Sequence, residues 1–246
     1  MKFVLVIVAA CTSMYFTCAC ASPSDYVSEP TSEKGEFEID VQSGASWSRP
    51  RGNDLQSAIG IGFGYGVSEH WFTELVPKWQ RTQPGGTHPD AIEWENKFVF
   101  TEPGEYPIDL GLLAEIERPK NLSDGWEVRT GPLLQSHFGQ WDVITNALLT
   151  RHYRATESTP TEFGYQLQAK YRWKREAEFG LQGFGELGPW QHWSQSSEQS
   201  QRFGPAFFGK VRVGEHQTLR YNTAWLIGTT SGAPKRSFRL QFELEI

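Results

Sequence analysis

From Arg236 to Ile246 every second residue is apolar: Phe238, Leu240, Phe242, Leu244 and Ile246 alternate with Arg239, Gln241, Glu243 and Glu245. A period of two marks a strand whose two faces meet different surroundings. The pattern recurs along the chain, most cleanly from Thr161 to Lys174. There Phe163, Tyr165, Leu167, Ala169, Tyr171 and Trp173 alternate with Glu162, Gln166, Gln168, Lys170, Arg172 and Lys174. A chain built of such strands must hide one face of a sheet, either in a core or in lipid.

Composition favours lipid. Aromatics reach 14%, with 10 Trp, and there are 24 Gly, yet the mean hydropathy is only −0.49. A transmembrane barrel reconciles these values, because half of each strand faces a polar lumen and dilutes the hydropathy. Residues 1–21 read as an export signal: Lys2, the apolar stretch Phe3 to Ala10, and a small-residue cleavage site at Ala19-Cys20-Ala21. That apolar stretch is short of the roughly 20 residues a spanning helix needs. A lipoprotein-type site at Cys11 would leave a leader too short for the usual layout. Cleavage after Ala21 removes Cys11, Cys18 and Cys20, and with them any disulfide, cysteine metal site or thiol nucleophile. Residues 22–33 are then expected as a periplasmic tail and 34–246 as the barrel. A net charge of −6 gives no basic footprint for nucleic acid.

Alternation predicts twelve strands. They run from Lys34 to Ser48, Leu55 to Val67, His70 to Arg81, Ala91 to Thr101, Pro107 to Arg118 and Gly125 to Phe138. The others run from Trp141 to Arg154, Thr161 to Lys174, Ala177 to Leu187, Arg202 to Val213, Gln217 to Ile227 and Arg236 to Ile246. The second strand carries Ile59, Ile61, Phe63, Tyr65 and Val67 outward and Gly60, Gly62, Gly64 and Gly66 inward. Pro77, lacking an N–H, should mark a bulge in the third. The ninth is the weakest because of its glycines.

Connections alternate too. Polar, longer links (Arg49 to Asp54, Thr82 to Asp90, Pro119 to Asp124, Ala155 to Pro160, Pro189 to Gln201, Thr229 to Pro234) alternate with shorter ones such as Ser68-Glu69, Gly139-Gln140 and Arg175-Glu176. Long and short links on opposite rims of an even-stranded barrel are the outer-membrane layout, with both termini periplasmic. Amphipathic tryptophans favour membrane interfaces. Trp71, Trp141 and Trp173 are expected in a girdle at the short turns, and Trp47, Trp79, Trp94 and Trp126 in one near the long links.

The run from Glu93 to Pro119, with Gly131-Pro-Leu-Leu-Gln135, Phe203-Gly-Pro-Ala206 and the hairpin Tyr65 to Trp71, resembles an uncharacterised family of proteobacterial outer-membrane β-barrels. That family is similar to transporter-like barrels associated with phenol meta-cleavage pathways. The resemblance spans about Leu55 to Ile246. It implies an outer-membrane barrel and a passive channel, and transfers no functional residues. Such barrels usually end in an aromatic residue, whereas this chain ends in Ile246.

Function must then sit in the lumen. Lys170, Arg172, Lys174, Arg202, Lys210, Arg212 and Arg220 form an expected basic wall; Glu36, Glu38, Asp40, Glu243 and Glu245 form an acidic one. Opposed walls would set a transverse field on passing solutes. Alternatively, these groups pair and hold a narrow interior shut. The inward glycines leave room for a cavity or a docked segment, and the Pro189 to Gln201 link has the length to fold inward as a constriction.

The competing reading is a barrel-embedded hydrolase of lipase or deacylase type, with Thr150, His152 and Glu162 as the nearest candidates. Such an enzyme would need a Ser-His or Asp-His constellation near one rim, and no local serine nucleophile motif stands beside these residues. A closed structural barrel is the third reading. The six His show no metal-ligand spacing, so no metal or cofactor is expected. The expected partners are outer-membrane lipid, the barrel assembly machinery and a small-molecule solute.

Overall fold

The computed structural model describes residues 22–48, 55–82 and 85–246. The expected export signal (1–21) and the first long link (49–54) lie outside the described residues. Twelve strands follow in chain order: β1 (Phe37–Trp47), β2 (Leu55–Ser68), β3 (Trp71–Thr82), β4 (Gly86–Val99), β5 (Asp109–Pro119), β6 (Trp126–Phe138), β7 (Trp141–Tyr153), β8 (Glu162–Lys174), β9 (Ala177–Pro189), β10 (Ser200–Arg212), β11 (Thr218–Gly228) and β12 (Arg236–Glu245). Each pairs antiparallel with its sequence neighbours, and β1 pairs with β12 to close the barrel. Closure leaves no sheet edge unpaired. Among the described residues the only helical turn is the 3₁₀ piece Leu122–Asp124.

Alternation puts apolar side chains outside. Phe63, Leu75, Trp94 and Ile116 are register partners across β2 to β5, and all four are exposed. An apolar row that wraps a surface in this way belongs against hydrocarbon. Of the four glycines of β9, the two on its outward face are covered from outside. A β-carbon on Gly183 would run into the Phe203 ring, and one on Gly185 into the Tyr165 ring. Aromatic rings from β10 and β8 thus supply the apolar surface that β9 lacks.

Proline interrupts the ladder where its missing N–H falls. Pairing of β3 with β2 passes from Leu75 to Lys78, skipping Val76 and Pro77. The same happens at Pro132 between β6 and β7, and at Pro205 between β10 and β11. The register shift of β3 against β4 falls one residue beyond Pro77, between Lys78 and Trp79.

Two expectations need correction. β4 begins at Gly86, well ahead of Ala91, because Thr87, His88 and Pro89 pair with Arg81, Gln80 and Trp79. Trp94 consequently lies well inside β4, paired in register with Leu75 and Ile116, rather than at its long-link end. The second correction concerns residues 22–33. They do not hang from the barrel as a tail; they run through it, with Ser24, Val27, Ser28 and Pro30 buried. The chain then turns at Lys34-Gly35, where Gly35 has φ +86, and enters β1.

Candidate functional site: a lumen divided by the N-terminal segment

The segment from Ser22 to Glu33 passes from the long-link rim to the short-turn rim. Glycines on the inner wall make room for its backbone. A β-carbon on Gly44 would overlap the Pro23 carbonyl, and one on Gly66 would overlap the Glu33 carbonyl. Pro30 sits against Gly111. Docking is polar at mid-barrel. The Ser28 N–H donates to Gln166 Oε1 at 3.2 Å, and Asn146 Nδ2 donates to the Ser28 carbonyl at 2.9 Å and to Gln166 Oε1 at 2.8 Å. The Tyr26 hydroxyl donates to Glu95. Beside these contacts Val27 packs into an inward apolar cluster with Ile144, Phe184, Ala206, Phe208, Ala224 and Leu226.

Two cavities remain, one on either side. The short-turn cavity, about 510 Å³, is lined by Glu29, Glu36, Glu38, Lys97, Lys170, Lys210, Arg220 and Glu243 among others. The long-link cavity, about 480 Å³, is lined by Pro23, Asp25, Lys78, Glu117, Glu127, Arg129, Thr150 and Glu162 among others. Between them lies a gap of about 10 Å³ walled by Ser24, Asp25, Tyr26 and Ser28, room for about one water.

The expected basic and acidic walls lie beside one another. Lys210 pairs in register with Arg220, Arg220 with Glu243, and Glu243 with Asp40, so the walls meet on consecutive strands. Lys210 Nζ lies 2.7 Å from Glu245. Arg220 contacts Glu245 and reaches Glu243 at 3.6 Å and Glu29 of the segment at 3.4 Å. Lys170 Nζ lies 3.2 Å from Asp142 and 3.6 Å from Glu178. Arg172, Lys174 and Arg212 are exposed at the short-turn rim, and Arg172 donates to the Gly139 carbonyl. Arg202 is buried. Asp40 accepts from Gln42 and Gln241 at 2.7 and 3.0 Å. Glu36 stands at the elbow before β1 beside Glu38, and burial with the nearby Glu245 and Glu33 carboxylates pushes it up to about 7.

The sequence reading missed a second network. Glu93, Glu95 and Glu115 are buried on β4 and β5, with carboxylate oxygens within 4.8 Å of one another. Three carboxylates so placed have the form of a metal site. Here Lys78 Nζ stands 2.6 Å from Glu93 and 2.9 Å from Glu117, and Arg129 Nε 3.3 Å from Glu115. The chain's own cations therefore serve this cluster. The available signal was the inward parity of Lys78, Glu93, Glu115 and Arg129 on four consecutive strands.

Thr150 and Glu162 are register partners at the long-link cavity, and His152 Nε2 lies 3.6 Å from Glu127. The histidine thus faces a carboxylate, and the pairing offers no nucleophile. Nor does the Pro189 to Gln201 link line either cavity. Its Trp193 stacks on Phe163 with ring centroids 5.9 Å apart, so the expected constriction is absent among the described residues.

A closed antiparallel barrel with an apolar outside and a filled polar interior is the fold of outer-membrane β-barrels. Among solved structures the chain is similar to the COG4313 outer membrane channel from Pseudomonas putida F1, with a TM-score of 0.62 and 12% identity, over 91% of this chain and 98% of that one. It also matches the translocator domain of the autotransporter NalP from Neisseria meningitidis (TM-score 0.48, 11% identity, 87% and 88% covered). A third match is Pseudomonas aeruginosa OprD (TM-score 0.40, 10% identity, 85% and 66% covered). At these identities the likeness establishes fold, and only the first is close enough to carry weight. No protein-family model and no curated protein matches the sequence.

Proposed function

We propose that this protein is a passive channel for small solutes in a Gram-negative outer membrane, with its short-turn rim and both barrel termini periplasmic. The N-terminal segment is its closing element. The observation that carries this reading is the pair of cavities of about 510 and 480 Å³ aligned on either side of one segment. A segment held by a few hydrogen bonds, the Glu29–Arg220 ion pair and the buried Val27 and Pro30 can leave without dismantling the wall, because every strand-to-strand ladder is complete without it. Conformational entropy gained on undocking favours release of the segment.

A specific observation favours the closed structural barrel as second reading. Lys78 joins Glu93 and Glu117 across three strands, as Arg220 joins Glu29, Glu243 and Glu245. Recordings in planar bilayers separate the two. The channel reading expects brief steps that lengthen in Tyr26→Ala. Silence in both proteins, each verified as a folded barrel, would leave the structural barrel.

A further inference from the structure

Two arginines of the lumen lack the partners that every other buried cation described above possesses. Arg202 on β10 is 2% exposed and Arg239 on β12 is 3% exposed. Both guanidiniums lie on the Phe184 ring, with Cζ at 5.7 and 4.4 Å from its centroid. Arg239 Nη1 donates to Gln182 Oε1 at 2.9 Å. Among the described residues neither makes an ion pair, and the Nε–H of each is buried without an acceptor. A guanidinium cannot discharge itself by losing a proton. Two buried cations that share one aromatic ring and have no ion-pair partner favour a nearby anion.

The carboxylates acting on Arg239 are Asp25 of the segment and Asp40 on β1, neither in contact with it. Asp40 already serves Gln42 and Gln241. Asp25 lines the long-link cavity, and Pro23 beside it lies over Gly44, the register partner of Arg239. The turn from Ser22 to Asp25 therefore stands between Arg239 and that cavity, which neither arginine lines. The approach carries the carboxylates Asp25, Asp90, Glu117, Glu127, Glu162 and Glu186. Of these Glu117 is held by Lys78 and Glu127 by Arg129, so an entering anion crosses a net-negative mouth before it meets the arginines.

We propose that Arg202 and Arg239 form a binding site for a small carboxylate anion, which enters from the long-link cavity by displacing the Ser22–Asp25 turn. Two planar forks suit a flat two-oxygen anion, which can accept paired hydrogen bonds from either. Asp25 is the site's internal competitor. The proposal rests on the channel reading only for the route of entry.

Isothermal titration of the full chain in detergent, with sodium acetate at constant ionic strength, tests it. The expected result is saturable binding that weakens about tenfold or more in Arg239→Gln and in Arg202→Gln. Asp25→Asn should tighten binding about threefold or more, because a like charge is removed, and the exposed Arg212→Gln should match the parent. Absence of saturable heat, affinity unchanged in a folded Arg239→Gln or Arg202→Gln protein, or weaker binding in Asp25→Asn would each overturn the site. Inorganic phosphate bound in preference to acetate would overturn the carboxylate assignment. Acetate binding without any ion current leaves the site standing and removes the channel; current without acetate binding does the reverse.

Discussion

Adding one methyl group at Gly44 tests the closing role of the segment from the wall side. A β-carbon there would stand 2.5 Å from the Pro23 carbonyl carbon and 3.1 Å from the Phe238 carbonyl oxygen, besides overlapping the Pro23 oxygen. Carbon atoms in contact sit about 3.5–4.0 Å apart, so the segment must retreat by roughly 1 Å. Overpacking of this kind costs about 1–3 kcal/mol. Against it stand two hydrogen bonds at Ser28, worth about 1 kcal/mol each, and the Tyr26–Glu95 bond, worth about 1.5–3. Val27 adds about 1.5–3 kcal/mol by burial. Gly44→Ala should therefore weaken the closed state without expelling the segment, raising the open fraction by roughly one to two orders of magnitude at 1.4 kcal/mol per decade. The assay is single-channel recording. The control is Gly164→Ala, which also lines the long-link cavity but whose β-carbon meets nothing nearer than the Gly185 carbonyl oxygen at 3.1 Å. Wild-type gating in a correctly folded Gly44→Ala protein would refute the reasoning.

Three further outcomes follow from the same contacts. Tyr26→Phe removes the hydroxyl bond to Glu95 and should lengthen open events with little change in barrel unfolding; a lowered unfolding midpoint with unaltered gating would contradict this. Glu36, raised to about 7 from 4.5, binds its proton more tightly in the folded protein. Its contribution is therefore complete below about pH 4.5 and fades as pH rises through about 7. Unfolding midpoints measured across that window should fall less steeply in Glu36→Gln than in the parent, and identical slopes would remove the assignment. Lys78→Met leaves Glu93 buried without its cation and should cost about 3–5 kcal/mol; an unchanged denaturant midpoint would show that the cluster neutralises itself by other means.

What was legible in the sequence was local. β8 and β12 announce themselves because each side chain's fate follows from parity alone, and the tilt from long to short links follows from residue chemistry in the gaps. β4 was truncated because Thr87-His88-Pro89-Asp90 is polar and holds a proline; its pairing with β3 is a tertiary decision. The charge pattern named Lys210, Arg220, Glu243 and Glu245 as lumen residues on consecutive strands, but parity along a strand does not reveal which of their charges pair. Burial of the segment was illegible for a related reason. Ser22 to Glu33 carries one Tyr and one Val in a polar stretch, and its place depends on glycines at positions 44, 66 and 111 contributed by three different strands. The glycines of β2 were the one hint, since they predicted a cavity or a docked segment.

The central claim is that the segment occupies the lumen, and thiol accessibility at Val27 tests it most directly. In Val27→Cys protein reconstituted in lipid, modification of that site by a bulky maleimide, mapped by mass spectrometry, should be negligible until the barrel unfolds, because the native side chain is 8% exposed within the inner apolar cluster. The same site in a Gly44→Ala background should react measurably. Labelling of the singly substituted protein as fast as a cysteine at exposed Arg212 would place the segment outside the barrel and contradict the account.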